Sequence, residues 1–376
     1  MSNRLQRLND AGQSVWLDFI DRRMLFDGDL EQRIRDDALM GMTSNPTIFE
    51  KALAEGTSYD EQLTQLGGTR SAWELFEEVA THDVRRACDL FRPVYDATKG
   101  VDGYVSLEVS PNVATDTAGT ITEARRLWAQ VDRPNVMIKV PGTPEGTMAV
   151  RQLIEDGINI NVTLLFAVDA HRRVIEAYIE GLEARARRDE PVDRIASVAS
   201  FFVSRVDSEI DRQLDAKIAA CTGDDERARL TALRGRAAIA NAKLAYRLFA
   251  AMFHGARWEG LLARGARVQR PLWASTSTKD PAYRDVLYVE ELVGPHTVNT
   301  MPPATLEAFR DHGEVRRSVD VGVDDAVRTL RALEDAGISM EAVTGLLLTQ
   351  GLASFQKSFD SLLAGLETKR RDLAIA

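Results

Sequence analysis

The chemistry of this chain is best approached through Lys139. It stands in Val136-Met137-Ile138-Lys139-Val140-Pro141, at the end of a short apolar run. The chain holds 39 arginines and 8 lysines, so a cation wanted for charge alone would more often be Arg. An amine shielded from water deprotonates more easily, and the neutral amine attacks carbonyl carbon. The competing reading is a lysine whose stem lies along a strand end while its ammonium reaches solvent. Other polar residues break apolar runs in the same way. Asp18 falls in Val15-Trp16-Leu17-Asp18-Phe19-Ile20, and Glu108 in Val105-Ser106-Leu107-Glu108-Val109. Asn161 and Thr163 are two apart, so in an extended segment they face the same way. Ser200 and Ser275 close two further runs, and Asn45 directly precedes Pro46. Helix or turn capping would equally account for Asn45 and Ser275. A structural hydrogen bond or a buried ion pair would account for Asp18 and Glu108.

Together these groups suit imine chemistry on a polyhydroxylated carbonyl compound. The amine attacks the carbonyl, and an acid protonates the departing hydroxyl. The resulting iminium draws electrons from the adjacent carbon–carbon bond, and a carboxylate takes the proton of the hydroxyl at that bond. Amides and hydroxyls bind the sugar's oxygens. The scheme requires no metal, and His82, His171, His254, His296 and His312 are scattered along the chain. There is no Gly-rich dinucleotide turn after a strand and no P-loop, so nothing supports a nicotinamide or nucleotide cofactor. No cofactor is expected.

Positioning these side chains requires a scaffold that brings distant segments to one place. Short apolar runs near 15–20, 39–44, 104–109, 136–140, 158–164, 195–202, 271–275 and 297–301 read as eight strands. Between them, 118–130, 145–156 and 169–184 carry apolar residues at three- and four-residue spacing, the period of amphipathic helices. Eight strands alternating with helices predict an α/β fold of the (β/α)8 TIM-barrel type, with an open doubly wound sheet as the alternative. Six strands that end in polar residues match a site at the carboxyl face of such a barrel. Residues 204–267 read as a helical hairpin inserted before the seventh strand, turning at Thr222-Gly223-Asp224-Asp225. Residues 323–373 read as two amphipathic helices separated near Gly337, covering part of the barrel mouth. With no repeat or Pro/Gly/Ser-rich linker, the expectation is one domain spanning 1–376.

The chain of 376 residues is 44% hydrophobic and 28% charged, enough for a full-size enzyme core. Its formal net charge of −10 argues against a nucleic-acid or anionic-membrane partner, both of which favour a basic footprint. Cys88 and Cys221 form no CxxC pair, and no stretch approaches eighteen apolar residues. A cytoplasmic protein is expected, as either a monomer or a homodimer.

Four segments carry a family resemblance. Gly41-Met42-Thr43-Ser44-Asn45-Pro46-Thr47-Ile48-Phe49 resembles the TSNPT signature of the transaldolases, and Val136–Thr143 their Schiff-base lysine segment. Ile160–Phe166 is similar to their NVTLLF strand, and Leu272–Lys279 to a segment of their longer bacterial branch. The resemblance runs from Gly12 to the C-terminal helices. It implies an imine-forming transferase of the non-oxidative pentose phosphate pathway, moving a dihydroxyacetone unit from a ketose phosphate to an aldose phosphate. It places Lys139 as the imine-forming residue and Asp18 as the carboxylate of carbon–carbon cleavage. Glu108 and Thr163 match a pair that holds a catalytic water. Asn45 and Asn161 match residues binding donor hydroxyls, Ser200 one lining the site, and Arg205 a phosphate ligand. Ser275 falls beside a second phosphate position. There the smaller members carry an Arg, and this chain has Ser277, with Lys279 two residues on either supplying the charge or standing exposed in the Ser-Thr-Lys-Asp turn. Two rivals remain: an aldolase-like relative that releases free dihydroxyacetone, and a non-catalytic sugar-phosphate-binding barrel.

Overall fold

A computed structural model describes residues 3–54, 56–67 and 70–373. Eight strands, β1 (Gln13–Asp18), β2 (Gly41–Thr43), β3 (Tyr104–Glu108), β4 (Val136–Pro141), β5 (Ile160–Leu165), β6 (Ser197–Phe202), β7 (Arg270–Ala274) and β8 (Thr297–Met301), close into a barrel in sequence order. Every neighbouring pair is parallel, including β8 with β1. The TIM-barrel expectation holds, and the open sheet is excluded. Parallel strands are covered on both faces, which is why these runs read as continuously apolar.

The barrel interior is filled from the bottom by a large ring and a buried ion pair. Trp16 is fully buried, and a Cβ on Gly41 would lie 2.5 Å from its ring, so β2 must pass Trp16 without a side chain. Below it, Arg270 Nη2 meets Asp102 Oδ1 at 2.9 Å. Asp102 also accepts from the Trp16 indole (3.0 Å) and from Ser14 (2.7 Å). A buried pair with so many of its polar atoms bonded is tolerated where an isolated charge would not be. This amino-terminal plug leaves the opposite end of the barrel for chemistry.

Several boundaries differ from the sequence reading. β1 starts at Gln13 rather than Val15 and stops at Asp18. The buried Gln13 amide donates to Leu292 O (2.7 Å) and Thr297 Oγ1 (3.0 Å), so a polar residue is accommodated within the strand. β2 is only three residues long, and β7 ends at Ala274, leaving Ser275 beyond the strand at φ 56°. The hairpin expected over 204–267 is in fact four helices: Ser204–Ala220, Asp224–Thr231, Ala237–Met252 and Ala256–Leu262. The break at 222–225 is where it was expected. The further breaks follow local glycines, Gly235 (φ 67°) and Gly255 (φ 90°), which adopt the left-handed region at no steric cost. The two C-terminal helices are Val323–Asp335 and Met340–Asp372, with Gly337 at φ 75° between them.

Candidate active site

Pairing register explains which polar side chains meet. Glu108 on β3 is the register partner of Lys139 on β4, and Lys139 that of Asn161 on β5. Register partners on parallel strands project to the same side of the sheet. Lys139 is 5% exposed. Its Nζ lies 3.1 Å from Glu108 Oε2 and donates to Ser44 O, also at 3.1 Å. The ring of Phe355, from the last helix, stands over the amine with its centroid 5.8 Å from Nζ. The snorkelling alternative is thereby excluded: the amine stays inside.

Asp18 and Thr43 are likewise register partners on β1 and β2. Thr43 Oγ1 donates to Asp18 Oδ1 at 2.7 Å and lies 2.7 Å from Thr300 Oγ1 on β8. Because Thr43 has a single hydroxyl proton, Thr300 donates to Thr43 when Asp18 is ionised. Burial raises the pKa of Asp18, opposed by Lys139, the Thr43 hydroxyl and Arg205. Burial pushes Glu108 from an ordinary 4.5 to about 7, opposed by Lys139 and assisted by the charge of Asp18. One amine thus faces two carboxylates, and both carboxylates are shifted toward holding a proton.

Thr163 Oγ1 is buried without a hydrogen-bond partner, and neither Glu108 oxygen makes an aligned hydrogen bond. Leu164, next along β5, is a non-glycine residue at φ 58°, where the β5–β6 register breaks between Val162 and Leu165. Backbone strain of this kind costs of order 1–3 kcal/mol and concentrates at functional sites.

A cavity of about 440 Å³ opens at the carboxyl end of the strands. Of the ten residues expected at the site, Lys139, Asp18, Thr163, Asn45, Ser200, Arg205, Ser275 and Lys279 line it. Glu108 reaches it only through Lys139. Asn161 lies one layer deeper, with its amide donating to Ser106 (3.0 Å) and its carbonyl accepting from Ser200 (2.7 Å). It is fully buried and holds Ser200 in place. Asn45 does cap the following helix, Pro46–Ala54, through Oδ1 to Ile48 N (3.0 Å), and it also faces the cavity. The Ser275 hydroxyl bonds the Ser204 hydroxyl at 2.9 Å and caps no backbone N–H among the described residues, while the residue lines the cavity.

The far side of the cavity is cationic. The Arg205 guanidinium sits over the Phe202 ring at 5.3 Å and has no carboxylate within ion-pair distance among the described residues. Burial lowers its pKa. Lys279, held by a 2.8 Å bond to Ser277 Oγ, is pushed below its usual value by burial and by Arg205. Two cations that repel one another beside a cavity favour an anion between them, and Arg offers the planar fork that suits phosphate.

The sequence reading missed Thr43, Thr300, Lys51, Ser354 and Phe355 as cavity residues. Thr43 and Thr300 carried a signal, as polar residues in the β2 and β8 runs. Lys51 and Phe355 lie on helices, and nothing local distinguishes them from neighbouring surface or core positions.

The model of the Transaldolase/Fructose-6-phosphate aldolase family matches residues 15–366, from inside β1 to the last helix. The chain belongs to this family. It is 46% identical to a transaldolase of Trichodesmium erythraeum over 376 residues, 99% of each chain. It is 50% identical to a transaldolase of Thermobifida fusca over 365 residues, covering 96% of this chain and 97% of the relative. It is also 46% identical to transaldolase 2 of a Nostoc strain over 373 residues, 98% and 97% of the two chains. The family match spans both the barrel and the helix that carries Phe355.

Proposed function

We propose that the protein is a transaldolase, a metal-independent transferase acting through a Schiff base on Lys139. It takes a dihydroxyacetone unit from sedoheptulose 7-phosphate or fructose 6-phosphate and gives it to glyceraldehyde 3-phosphate or erythrose 4-phosphate. The observation that carries this reading is the enclosed Lys139 amine, 3.1 Å from Glu108, in a cavity shared with Asp18 and Arg205. Glu108, with a pKa near 7, accepts a proton from the Lys139 ammonium and returns one to the C2 oxygen, which leaves as water. Glu108, whose Oε1 makes no hydrogen bond among the described residues, and the unpartnered Thr163 hydroxyl suit a water that relays these protons. Asp18 takes the proton of the C4 hydroxyl. The C3–C4 bond then breaks, its electrons pass to the C2 iminium, and the aldose leaves. Addition of the acceptor aldehyde reverses these steps. Asn45 and Ser200 bind hydroxyls, Asn161 fixes Ser200, and Ser275 shapes the wall. Arg205 binds the phosphate with Lys279, which Ser277 positions. No resident cofactor takes part.

The family's description also covers an aldolase, which uses such a constellation to release free dihydroxyacetone. The full-length relatives named transaldolase support transfer. We further read the chain as one barrel domain with helical additions, working in the cytoplasm as a monomer or homodimer. Its partners are small sugar phosphates, without nucleic acid or membrane. The acidic composition supports this, and among the described residues no helix is long and apolar enough to cross a membrane. Borohydride trapping with fructose 6-phosphate tests the reading. A reduced three-carbon adduct on Lys139 is expected, together with sedoheptulose 7-phosphate when erythrose 4-phosphate is added. Transfer that survives Lys139→Ala would overturn it.

A further inference from the structure

The last helix, Met340–Asp372, is pinned across the barrel mouth on either side of one residue. Its buried stripe runs Val343, Leu347, Gly351, Phe355 and Phe359 at four-residue spacing, so these positions share the face turned toward the barrel. Four residues before Phe355, Gly351 lies against the strained Leu164, where a Cβ would come within 2.9 Å of Leu164 Cδ2. Four residues after it, Phe359 packs edge-on to Trp73 (5.2 Å) and Phe76 (6.3 Å). Ser358 accepts from Thr47 at 2.8 Å, and Gln356 donates to Asn112 at 3.1 Å. Between these anchors Phe355, 7% exposed, forms the cavity ceiling over Lys139.

A phenyl ring holds no proton and donates no hydrogen bond, so it can act here in two ways. It excludes water, and it presents a π face to a cation. We propose that Phe355 is a positioning residue that decides the fate of the three-carbon intermediate, keeping the Lys139 adduct for an acceptor aldehyde rather than for water. This rests on the imine chemistry assigned to Lys139 above. After cleavage the adduct is an enamine. Release requires a proton at C3, then addition of water at C2 and rupture of the C2–N bond, which frees dihydroxyacetone and the Lys139 amine. Transfer requires only that the nucleophilic carbon survive until an aldehyde arrives. One water held near Glu108 and Thr163 serves imine formation and final hydrolysis. Bulk water serves only premature release, and the ring stands where it would enter.

The test compares wild type, Phe355→Ala and Phe355→Leu with fructose 6-phosphate as donor. Two rates are read: dihydroxyacetone formed without acceptor, and sedoheptulose 7-phosphate formed with erythrose 4-phosphate. The ratio of release to transfer is expected to rise about tenfold in Phe355→Ala, equivalent to ~1.4 kcal/mol in relative barriers, with Phe355→Leu between it and wild type. A residue that merely anchors the helix would lower both rates alike, and an unchanged ratio overturns the proposal. Should Phe355→Ala fail to fold, an unchanged ratio in Phe355→Leu overturns it equally. A wild-type protein that forms neither product nor a trapped Lys139 adduct would sink the imine reading, and this inference with it.

Discussion

Replacing Glu108 by Gln separates what this residue does for the reaction from what it costs the fold. Glu108 ionises near pH 7 in the folded protein and at an ordinary 4.5 when unfolded. Between those values the folded state holds a proton that the unfolded state has lost. Stability is therefore highest below pH 4.5 and declines as pH rises through 7. At about 1.36 kcal/mol per pH unit, ionised Glu108 costs the fold ~3 kcal/mol. Gln mimics the protonated acid, so the variant escapes this cost. Its stability gain over wild type is expected to grow from about 1 kcal/mol at pH 5 to about 3 kcal/mol at pH 8 by the same linkage. Urea unfolding at the two pH values, on both proteins, measures this directly. Transfer activity should move the other way, falling by about 10²–10⁴ with loss of the proton acceptor. A stability difference that stays constant between pH 5 and pH 8 would refute the reasoning, because burial would then not be what holds the proton on Glu108.

Two other substitutions probe the opposite walls. Thr43→Val removes the 2.7 Å donor to Asp18, and bonds to charged groups are worth about 1.5–3 kcal/mol. The pKa of Asp18 should rise further, which an infrared titration of the Asp18 carboxyl, done in the Glu108→Gln background to remove the overlapping ionisation, reads directly; an Asp18 titration that stays in place contradicts the role given to the Thr43 hydroxyl. Arg205→Ala should raise KM for fructose 6-phosphate about 10–150-fold, the equivalent of a lost charge-assisted bond. Steady-state kinetics with an unphosphorylated ketose should be unaffected. Equal losses on both donors would place the phosphate elsewhere.

Much of this molecule was legible from local pattern. The strand runs and helical periods announce a barrel because parallel strands buried on both faces must be apolar throughout. A polar residue at a strand end then stands out against that background, as Lys139, Asp18, Glu108 and Thr163 do. The helical insertion was less legible. A hairpin and a four-helix excursion share the same amphipathic period, and only glycine breaks at 235 and 255 separate them. Strand edges shifted where a side chain found a partner remote in sequence, as Gln13 does with Leu292.

Residue type and order by themselves determined the barrel, the candidate nucleophile and the family, since these depend on local periodicity and on motifs read along the chain. Tertiary structure decided the rest. Whether the Lys139 ammonium reaches water or stays inside depends on Ser44, Glu108 and Phe355, which converge from three separate elements. Whether Asn161 touches a substrate or supports Ser200 depends on its depth in the barrel, and spacing in sequence carries no record of depth. Desolvation, which sets the protonation of Asp18 and Glu108, is a property of the whole enclosure. It exists only once the strands and the elements around them have packed together.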